Sequence, residues 1–333
     1  MTLSINSAQA GAVLDDIKAQ DQLICLVNPN SPGFSVPDSQ GVFQGFNTDF
    51  CRMTAAAIFG DVNKASIRGI GFSDSMRTIV AQGAHMASRS ITRTGTRDVN
   101  PGMAFVATTF YDGQGFLVPK ALGIRSATEL EGATVCAEEG STTLSNIADW
   151  FGDRGMDYKV ENINDKNARL QAFFAGKCDV LASDLTALAS DRQLASNPDD
   201  FMLLPEIISA EPLTLVARPD QELESVIYWA FQVMLNAEQY GVSSANIDQV
   251  MANLDAQPSD VQRMFSADSA AGEMADALGL PRDWSYQIIK QVGNYGEVYD
   301  RHLGAQTALN IGREGTFNAL ASDGGLQYPH PVR

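Results

Sequence analysis

The sequence predicts an α/β protein built from two lobes that the chain connects twice. Short apolar segments suited to buried strands alternate with segments of helical spacing, and this alternation occurs in two separate series. Two extended segments without helical periodicity, Phe116–Pro119 and Leu213–Arg218, separate the series. We therefore expect lobe one to comprise residues 1–115 and 214–333, lobe two to comprise residues 116–213, and the two extended segments to form a hinge.

The individual elements follow from local periodicity and from the glycines that end helices. Lobe one is predicted to contain, in order, a helix over residues 10–22, a strand over Leu23–Val27, a helix over Asp49–Phe59, a strand over Ser66–Phe72 and a helix over Ser73–Gln82. Lobe two is predicted to contain strands over Thr134–Ala137, Lys159–Glu161 and Val180–Ala182, each followed by a helix, over Thr142–Arg154, Lys166–Ala175 and Leu185–Asn197. The last part of the chain is predicted to be helical over Glu222–Tyr240, Ser244–Asn253, Ser259–Phe265 and Asp283–Arg301.

Composition excludes several classes of protein. The 333 residues carry a net charge of −17, which disfavours binding to nucleic-acid phosphates or to anionic membranes. No run of about 18 apolar residues is present, so no membrane-spanning helix is predicted. The segment Met1–Ala10 lacks the basic and apolar regions of a signal peptide. We expect an exported protein whose signal peptide was removed, with a cytosolic protein as the alternative.

Four cysteines, Cys25, Cys51, Cys136 and Cys178, are widely spaced and form no CxxC pair. This argues against zinc or redox chemistry and suits two disulfides in an oxidising compartment. Three connectivities are possible. The sequence order favours Cys25 with Cys51 and Cys136 with Cys178, while four buried thiols in a cytosolic protein remain the alternative.

The sequence gives little support for catalysis. Its three histidines, His85, His302 and His330, are not accompanied by a GxSxG, Walker A or HExxH motif. The stretch Gly69–Phe72 lacks the third glycine of a dinucleotide-binding loop. No catalytic residue, metal site or cofactor is therefore predicted.

One stretch has the composition of a carboxylate-binding site. Hydroxyl residues alternate along Ser88, Ser90, Thr92 and Thr94, and Arg97 follows just after a predicted bend. In an extended segment these hydroxyls would face one way, and a guanidinium beside them would bind a carboxylate with two hydrogen bonds. The alternative is a solvated polar loop.

Two further stretches point to the same kind of site. Gly140–Thr143 precedes a predicted helix, where backbone N–H groups bind anions, although ordinary helix capping by Ser141 or Thr142 explains it equally. Asp184 follows a buried strand, at the end where α/β sheets place ligand-binding groups, and could otherwise be a helix cap.

Longer motifs resemble a known family. They are YDGQGF at Tyr111–Phe116, NPDDFMLLPEIIS at Asn197–Ser209, NAEQYGV at Asn236–Val242, IIKQVGNYGEVYDRHLG at Ile288–Gly304 and the closing GGLQYPHPVR. The segment from about Leu23 to Arg333 resembles the polar amino-acid-binding proteins of ABC transporters, in particular the general L-amino-acid-binding periplasmic subfamily.

This resemblance implies an α/β type II periplasmic-binding-protein fold, with two α/β lobes joined by two hinge strands and the ligand held between them. It implies that Arg97 binds the ligand carboxylate, that Asp184 binds the ammonium group and that Phe72 lines the pocket. The four cysteines also resemble those of the subfamily. The predicted ligand-binding residues are Arg97, Asp184, Thr92, Thr94, Ser90, Phe72, Ser141, Thr142, Arg89 and Glu138.

The chain departs from the subfamily pattern near the predicted pocket. Ser90 stands where Asn is usual, Arg93 where Trp is usual and Glu138 where Gln is usual. We expect Glu138 to lie at the cleft and to disfavour acidic ligands. Strand alternation with Thr92 predicts that Arg93 points away from the cleft.

The resemblance implies the partners as well. They are a free amino acid and the membrane permease of an ABC transporter, to which a monomeric protein delivers the ligand. Two alternatives share the fold: a sensor or chemoreception module, and an enzyme like cyclohexadienyl dehydratase.

Overall fold

The computed structural model describes residues 11–333. The predicted polar start of the chain, residues 1–10, lies outside the described residues, as does the first residue of the helix predicted over residues 10–22. No helix in the described part is long and apolar enough to cross a membrane.

A five-stranded sheet, in the order β4-β1-β5-β12-β6, forms the centre of lobe one. Its strands are β1 (Leu23–Val27), β4 (Ala65–Gly69), β5 (Met86–Thr92), β6 (Ala104–Asp112) and β12 (Glu211–Ala217). Strand β1 pairs in parallel with β4 and β5, whereas β12 pairs antiparallel with β5 and β6. A two-stranded hairpin precedes β4 and consists of β2 (Val36–Pro37) and β3 (Phe43–Gln44).

The helices of lobe one come from both ends of the chain. The first four are α1 (Ala12–Ala19), α2 (Phe46–Phe59), α3 (Phe72–Val80) and the short α4 (Gly95–Asp98). The last six are α8 (Gln221–Gln239), α9 (Ile247–Ala252), α10 (Ser259–Phe265), α11 (Ala270–Leu278), α12 (Trp284–Gln291) and α13 (Tyr295–His302). Helix α2 packs against α8, α12 and α13, with fully buried aromatic side chains such as Phe46 and Tyr299 between them.

A second five-stranded sheet, in the order β11-β7-β10-β8-β9, forms the centre of lobe two. Its strands are β7 (Gln114–Pro119), β8 (Thr134–Ala137), β9 (Lys159–Asn162), β10 (Val180–Asp184) and β11 (Phe201–Leu203). Its helices are α5 (Thr142–Gly152), α6 (Lys166–Phe174) and α7 (Leu185–Arg192). Strands β8, β9 and β10 run in parallel, so their carboxyl ends meet at one edge of the sheet.

Both predicted cysteine pairings are confirmed. Cys25 on β1 is bonded to Cys51 on α2, with their Cα atoms 5.9 Å apart. Cys136 on β8 is bonded to Cys178, just before β10, with a Cα separation of 5.7 Å. Each disulfide therefore joins a strand to a neighbouring element of the same lobe.

The two crossings between the sheets run side by side. The first is the step from β6 to β7 at Gly113, and the second is the segment that leads from β11 to β12. The predicted hinge segments are therefore misplaced by a few residues, because Phe116–Pro119 belongs to β7 and Leu213–Arg218 overlaps β12, each within a sheet. A Cβ atom on Gly113 would lie 2.3 Å from Cγ2 of Ile207 and 2.9 Å from the carbonyl oxygen of Ser209. Only glycine permits the two crossings to approach so closely.

The helix predicted over Asp283–Arg301 is wrong, because the structure has two helices there, α12 and α13. Gly293 adopts a φ of +100°, and Asn294 then caps α13 in a capping box with Glu297. The predicted strand over Ser66–Phe72 is also too long, since β4 ends at Gly69 and Phe72 begins α3.

The C-terminal segment, residues 305–333, covers the edge strand β6. Asn318 is 4% exposed, and its side chain accepts a hydrogen bond from the backbone N–H of Tyr111 at 2.7 Å and donates one to the carbonyl of Tyr111 at 2.9 Å. The Gln327 side chain reaches the carbonyl of Thr109, one strand position further on that face. The segment thus occupies backbone groups immediately before the first crossing.

Candidate functional site

The carboxyl ends of the parallel strands from both sheets face one cleft. Strand β1 leads into Asn28–Ser31, β4 into Phe72, and β5 into the turn that carries Arg97. From lobe two, β8 leads into Glu138 and β10 ends at Asp184. Ligand-binding groups are expected at these strand ends in open α/β sheets.

Two adjoining pockets occupy the cleft. The small pocket has a volume of about 50 Å³, and the large pocket has a volume of about 310 Å³. Eight of the ten predicted ligand-binding residues line the small pocket, namely Phe72, Ser90, Thr92, Arg97, Glu138, Ser141, Thr142 and Asp184. Arg89 lines the large pocket, whereas Thr94 is in neither lining.

Arg97 is held in place by the turn that follows β5. Its Nη1 donates a hydrogen bond to the carbonyl of Thr92 at 3.0 Å, and its backbone N–H donates to the Thr94 hydroxyl at 3.4 Å. Its guanidinium lies over the Phe72 ring, 5.1 Å from the centroid. Burial lowers the pKa of Arg97, but the neighbouring carboxylates of Glu211 and Asp184 act against this. Thr94 is the N-cap residue of α4, and its hydroxyl fixes the backbone of Arg97 without lining the pocket.

The start of helix α5 faces Arg97 from the other lobe. Ser141 occupies the N-cap position without capping the helix, because its hydroxyl donates to the carbonyl of Glu138 at 2.7 Å. Thr142 and Thr143 also line the small pocket. Backbone N–H groups at a helix N-terminus carry partial positive charge and favour an anion. The small pocket consequently offers donors from both lobes to one carboxylate.

Asp184 supplies the opposite charge. It is the last residue of β10, and its Oδ1 accepts a hydrogen bond from Nε2 of Gln114 at 3.1 Å. Burial raises the pKa of Asp184 well above the usual range, and the nearby carboxylates of Asp112 and Glu211 raise it further. A buried carboxyl with two acidic neighbours is stabilised in its ionised form by a cation.

Asp112 and Glu211 stand opposite each other where the first sheet meets the hinge. Burial raises the pKa of Asp112 to about 6, although hydrogen bonds from Thr186 and Gly113 lower it. Glu211 accepts hydrogen bonds from Ser209 at 2.6 Å and from Asn146 at 2.8 Å. These two residues surround Asp184 with negative charge at the hinge.

Ser90 breaks the predicted alternation along β5. It has a φ of +56°, a left-handed conformation that is unfavourable for a residue with a side chain. Ser88 is buried at 1% exposure, whereas Arg89 turns toward the large pocket. Ser90 itself lines both pockets, and strained backbone of this kind is common at binding sites.

Arg93 and Glu138, the two charged departures from the subfamily pattern, differ in position. Arg93 is exposed and forms a bidentate ion pair with Asp98, at 3.1 and 3.0 Å, outside both pockets. Glu138 lines both pockets, and its Oε2 lies 3.4 Å from Nη2 of Arg169.

Sequence reasoning missed the polar residues that support Asp184. Gln114 donates through one Nε2 to Asp184 and to the Thr142 hydroxyl at 3.0 Å, and its Oε1 accepts from Asn146 at 2.7 Å. Gln114 lies within the YDGQGF motif, so a polar residue directly after the hinge glycine was the available signal. Glu211 is distant in sequence from all of these, and only the fold brings it close.

The lobes also touch away from the hinge strands. Nζ of Lys166 forms an ion pair with Asp191 at 2.7 Å and lies 3.4 Å from the Ser31 hydroxyl of lobe one. The hydroxyls of Ser31 and Ser190 are 3.5 Å apart. The cleft is therefore in a closed arrangement.

This arrangement suits non-covalent capture of a small zwitterion. Arg97 and the α5 N-terminus match a carboxylate, and Asp184 matches an ammonium group. Among residues 11–333, no group of three or more His, Cys, Asp or Glu side chains is arranged to hold a metal ion. Two lobes closing on a zwitterion define a solute-binding protein.

Comparisons with known proteins agree with this class. No protein-family model matches the chain. The chain is 38% identical over 330 residues to the glutamate/glutamine/aspartate/asparagine-binding protein BztA of Rhodobacter capsulatus, covering 99% of this chain and 96% of that protein. It is 38% identical over 331 residues to the general L-amino acid-binding periplasmic protein AapJ of Rhizobium johnstonii, covering 98% and 94%.

A solved structure agrees as well. An ABC transporter periplasmic binding protein from Brucella ovis, with glutathione bound, superposes with a TM-score of 0.91 at 37% identity and covers 96% of this chain and 99% of that chain. The chain belongs to the family of amino-acid-binding proteins of ABC transporters. Its fold is the type II periplasmic-binding-protein fold predicted from the sequence.

Proposed function

We propose that the protein captures a free α-amino acid between its lobes and delivers it to the permease of an ABC transporter. The observation that carries this proposal is the convergence of Arg97 from lobe one and Asp184 from lobe two on one small pocket. Their charges match the two ends of a zwitterion, and because the two residues come from different lobes, a ligand that contacts both would bridge the lobes.

The carboxylate end is assigned to Arg97, with Ser90, Thr92 and the start of α5 at Ser141 and Thr142 as further polar neighbours. The fork of donors on arginine matches the two oxygens of a carboxylate. Phe72 lies under the guanidinium and limits its movement. An arginine held this way loses less side-chain entropy when the ligand arrives.

The ammonium end is assigned to Asp184. In the closed cleft its charge is opposed by burial and by Asp112 and Glu211, so a ligand cation relieves an unfavourable interaction. A ligand gains this contact together with the Arg97 contact only when the lobes are closed. Binding therefore favours closure of residues 116–213 against residues 1–115 and 214–333.

The closed form is the species that the permease would recognise, because only that form carries the ligand. We further propose a periplasmic location and a monomeric state. The names of the relatives support binding and transport rather than turnover of the ligand. An assay for consumption of amino acids by the purified protein should accordingly show none.

The names of two relatives guide the choice of ligands to test. BztA is named for glutamate, glutamine, aspartate and asparagine, and the Brucella ovis structure contains glutathione. The large pocket, at about 310 Å³, has room for a side chain beyond the α-carbon. A thermal-shift screen should thus include the common amino acids and glutathione. A ligand that binds the folded state stabilises it by RT ln(1 + [L]/Kd), so the melting temperature rises with the logarithm of the ligand concentration once that concentration exceeds Kd. The proposal fails if no α-amino compound shifts the melting temperature at millimolar concentration.

A further inference from the structure

We propose that the large pocket selects a ligand with a side-chain carboxamide over one with a side-chain carboxylate. Arg89 would donate to the amide oxygen, and Glu138 would accept from the amide nitrogen. This inference rests on the proposed function, since it assumes that the small pocket holds the α-carboxylate and α-ammonium groups.

Arg89 presents donors from lobe one. It is 5% exposed, and its two terminal nitrogens donate to the carbonyl of Ile70 and to Oδ1 of Asn28. Both partners are neutral, and within residues 11–333 no carboxylate lies within ion-pair distance of Arg89, although the charge of Glu138 acts on it from further away. Its Nε has no hydrogen-bond partner there. The guanidinium also lies 5.3 Å from the centroid of the Phe72 ring. Arg89 is thus a fixed, buried donor at the wall of the large pocket, with donor capacity left over.

Glu138 presents an acceptor from lobe two. Its Oε2 lies 3.4 Å from Nη2 of Arg169, which is 4% exposed and also donates to the carbonyl of Ile163 at 2.9 Å. Arg169 therefore holds the carboxylate at the pocket wall. In the described chain the Oε1 atom of Glu138 accepts no hydrogen bond, which leaves it available to a ligand donor.

The other charged residues of the large pocket have partners within the protein. Asp74 is paired with Arg77, Asp184 accepts a hydrogen bond from Gln114, and Arg169 is paired with Glu138. Lys166 is paired with Asp191 at 2.7 Å. Asp165 caps helix α6 through the N–H of Ala168 at 2.7 Å. Arg89 and Glu138 are therefore the charged residues on its walls that keep an unused hydrogen-bond donor and an unused acceptor for a ligand side chain.

A carboxamide satisfies both groups at once. It has a carbonyl oxygen for the arginine and an NH2 group for the glutamate, whereas a carboxylate has acceptors only. A carboxylate oxygen facing Glu138 would set two like charges and two acceptors against each other. A cationic side chain would pair with Glu138 but would repel Arg89 and leave its donors unused, and an apolar one would leave both polar groups desolvated and unpaired.

Isothermal titration calorimetry with glutamine, glutamate and methionine tests this assignment. We expect the parent protein to bind glutamine roughly tenfold or more tightly than the other two, because a site built to hydrogen-bond a group rejects analogues that lack it. In Glu138→Gln, glutamate should gain roughly tenfold in affinity and approach glutamine, because an amide at this position can donate to a carboxylate oxygen. Glu139→Gln is the matched control, since this exposed neighbour lines neither pocket and the variant has the same change of charge.

A fourth ligand, γ-glutamylglycine, separates two sources of the same chemistry. Its side-chain amide is part of a peptide bond and carries one N–H. Tighter binding of this ligand than of glutamine would show that the preferred amide ligand is a γ-linked peptide and not a free amino acid. The inference is overturned if glutamate binds the parent as tightly as both amides. It is also overturned if the ratio of the glutamine affinity to the glutamate affinity is the same in Glu138→Gln as in Glu139→Gln. If the parent binds no α-amino compound, the proposed function falls together with it; if it binds amino acids without preference for amides, the proposed function stands and this inference alone fails.

Discussion

Asp184 and Gln114 are register partners in the antiparallel ladder between β10 and β7, and Nε2 of Gln114 donates to Oδ1 of Asp184 at 3.1 Å. A neutral amide is thus the hydrogen-bond partner of a carboxylate that lies among other acids. Within the described residues Asp184 has no ion-pair partner in direct contact, although the charge of Arg97 acts on it from further away. The contact position for a cation is thus open to a ligand, and this residue and Arg97 are the two ends of the proposed clamp.

The first prediction concerns this clamp. Arg97→Ala should weaken binding of the best ligand from the screen by about 2–5 kcal/mol, because the ligand carboxylate loses its partner in a desolvated site. Asp184→Asn should weaken binding at the ammonium end. Calorimetry measures both effects, and circular dichroism of each ligand-free variant checks the fold. Arg93→Ala is the matched control, because this nearby arginine is exposed and outside both pockets. Unchanged affinity in Arg97→Ala would show that the carboxylate assignment is wrong.

The second prediction concerns the acidic residues at the hinge. Burial raises the pKa of Asp112 from 3.8 to about 6, so the folded state holds this proton more tightly than the unfolded chain. The resulting stabilisation is complete below the unfolded pKa and is lost as the pH rises through about 6. Asp112→Asn should remove this contribution. As the pH rises from about 4 to above 6, the unfolding free energy of the variant should therefore fall less, or rise more, than that of the parent.

His85 acts with the opposite sign in this interval, since burial lowers its pKa to about 4, and the comparison must therefore be made between variants. Denaturant titrations at several pH values provide the unfolding free energies. Asp268→Asn, with a side chain that is 96% exposed, serves as the control. A pH dependence in Asp112→Asn equal to that of the parent would contradict the assignment.

The third prediction concerns the disulfides. Thiol titration of denatured, unreduced protein should find no free thiol, since both pairs are bonded. They close loops with sequence separations of 26 and 42 residues. Chain-entropy estimates assign about 3.5–4 kcal/mol of stability to each, so reduction should lower the melting temperature markedly. Four titratable thiols in protein taken from its native compartment would refute both the pairing in that compartment and the proposed location.

The fourth prediction concerns the C-terminal segment. Asn318→Ala should lower the unfolding free energy by about 1–3 kcal/mol, because the backbone N–H and carbonyl of Tyr111 lose their partners. Chemical denaturation measures the loss. Gln306→Ala, at an exposed position of the same segment, should change stability little. Equal stability of the two variants would mean that water replaces the Asn318 side chain without cost.

The sequence alone predicted the elements that depend on local pattern. The strand–helix series and the two-lobed fold come from periodicity, from glycines and from motifs of a recognisable family, whereas the exact residues of the two crossings do not. The break between α12 and α13 was not predicted, because apolar periodicity continues across Gly293 and a left-handed φ leaves no mark in that pattern.

Arg89 and Glu138 were among the predicted ligand-binding residues, but strand alternation did not predict how Arg89 reaches the large pocket. Simple alternation along β5 grouped Ser88 and Ser90 on one side, but the positive φ of Ser90 lets Arg89 reach the pocket. Likewise, Glu211 acts on Asp184 only because the two crossings lie side by side, and no spacing in the chain encodes that proximity.

Because all four native cysteines are bonded in pairs, one added cysteine would be the sole reactive thiol of the protein. Asp74 is a suitable position, since its side chain is 59% exposed and it lies at the margin of the large pocket. The surroundings of a polarity-sensitive dye attached there would change as the lobes close, and its fluorescence would change with them. The arrangement of the cysteines thus makes this protein a ready starting point for an optical sensor of its own ligand.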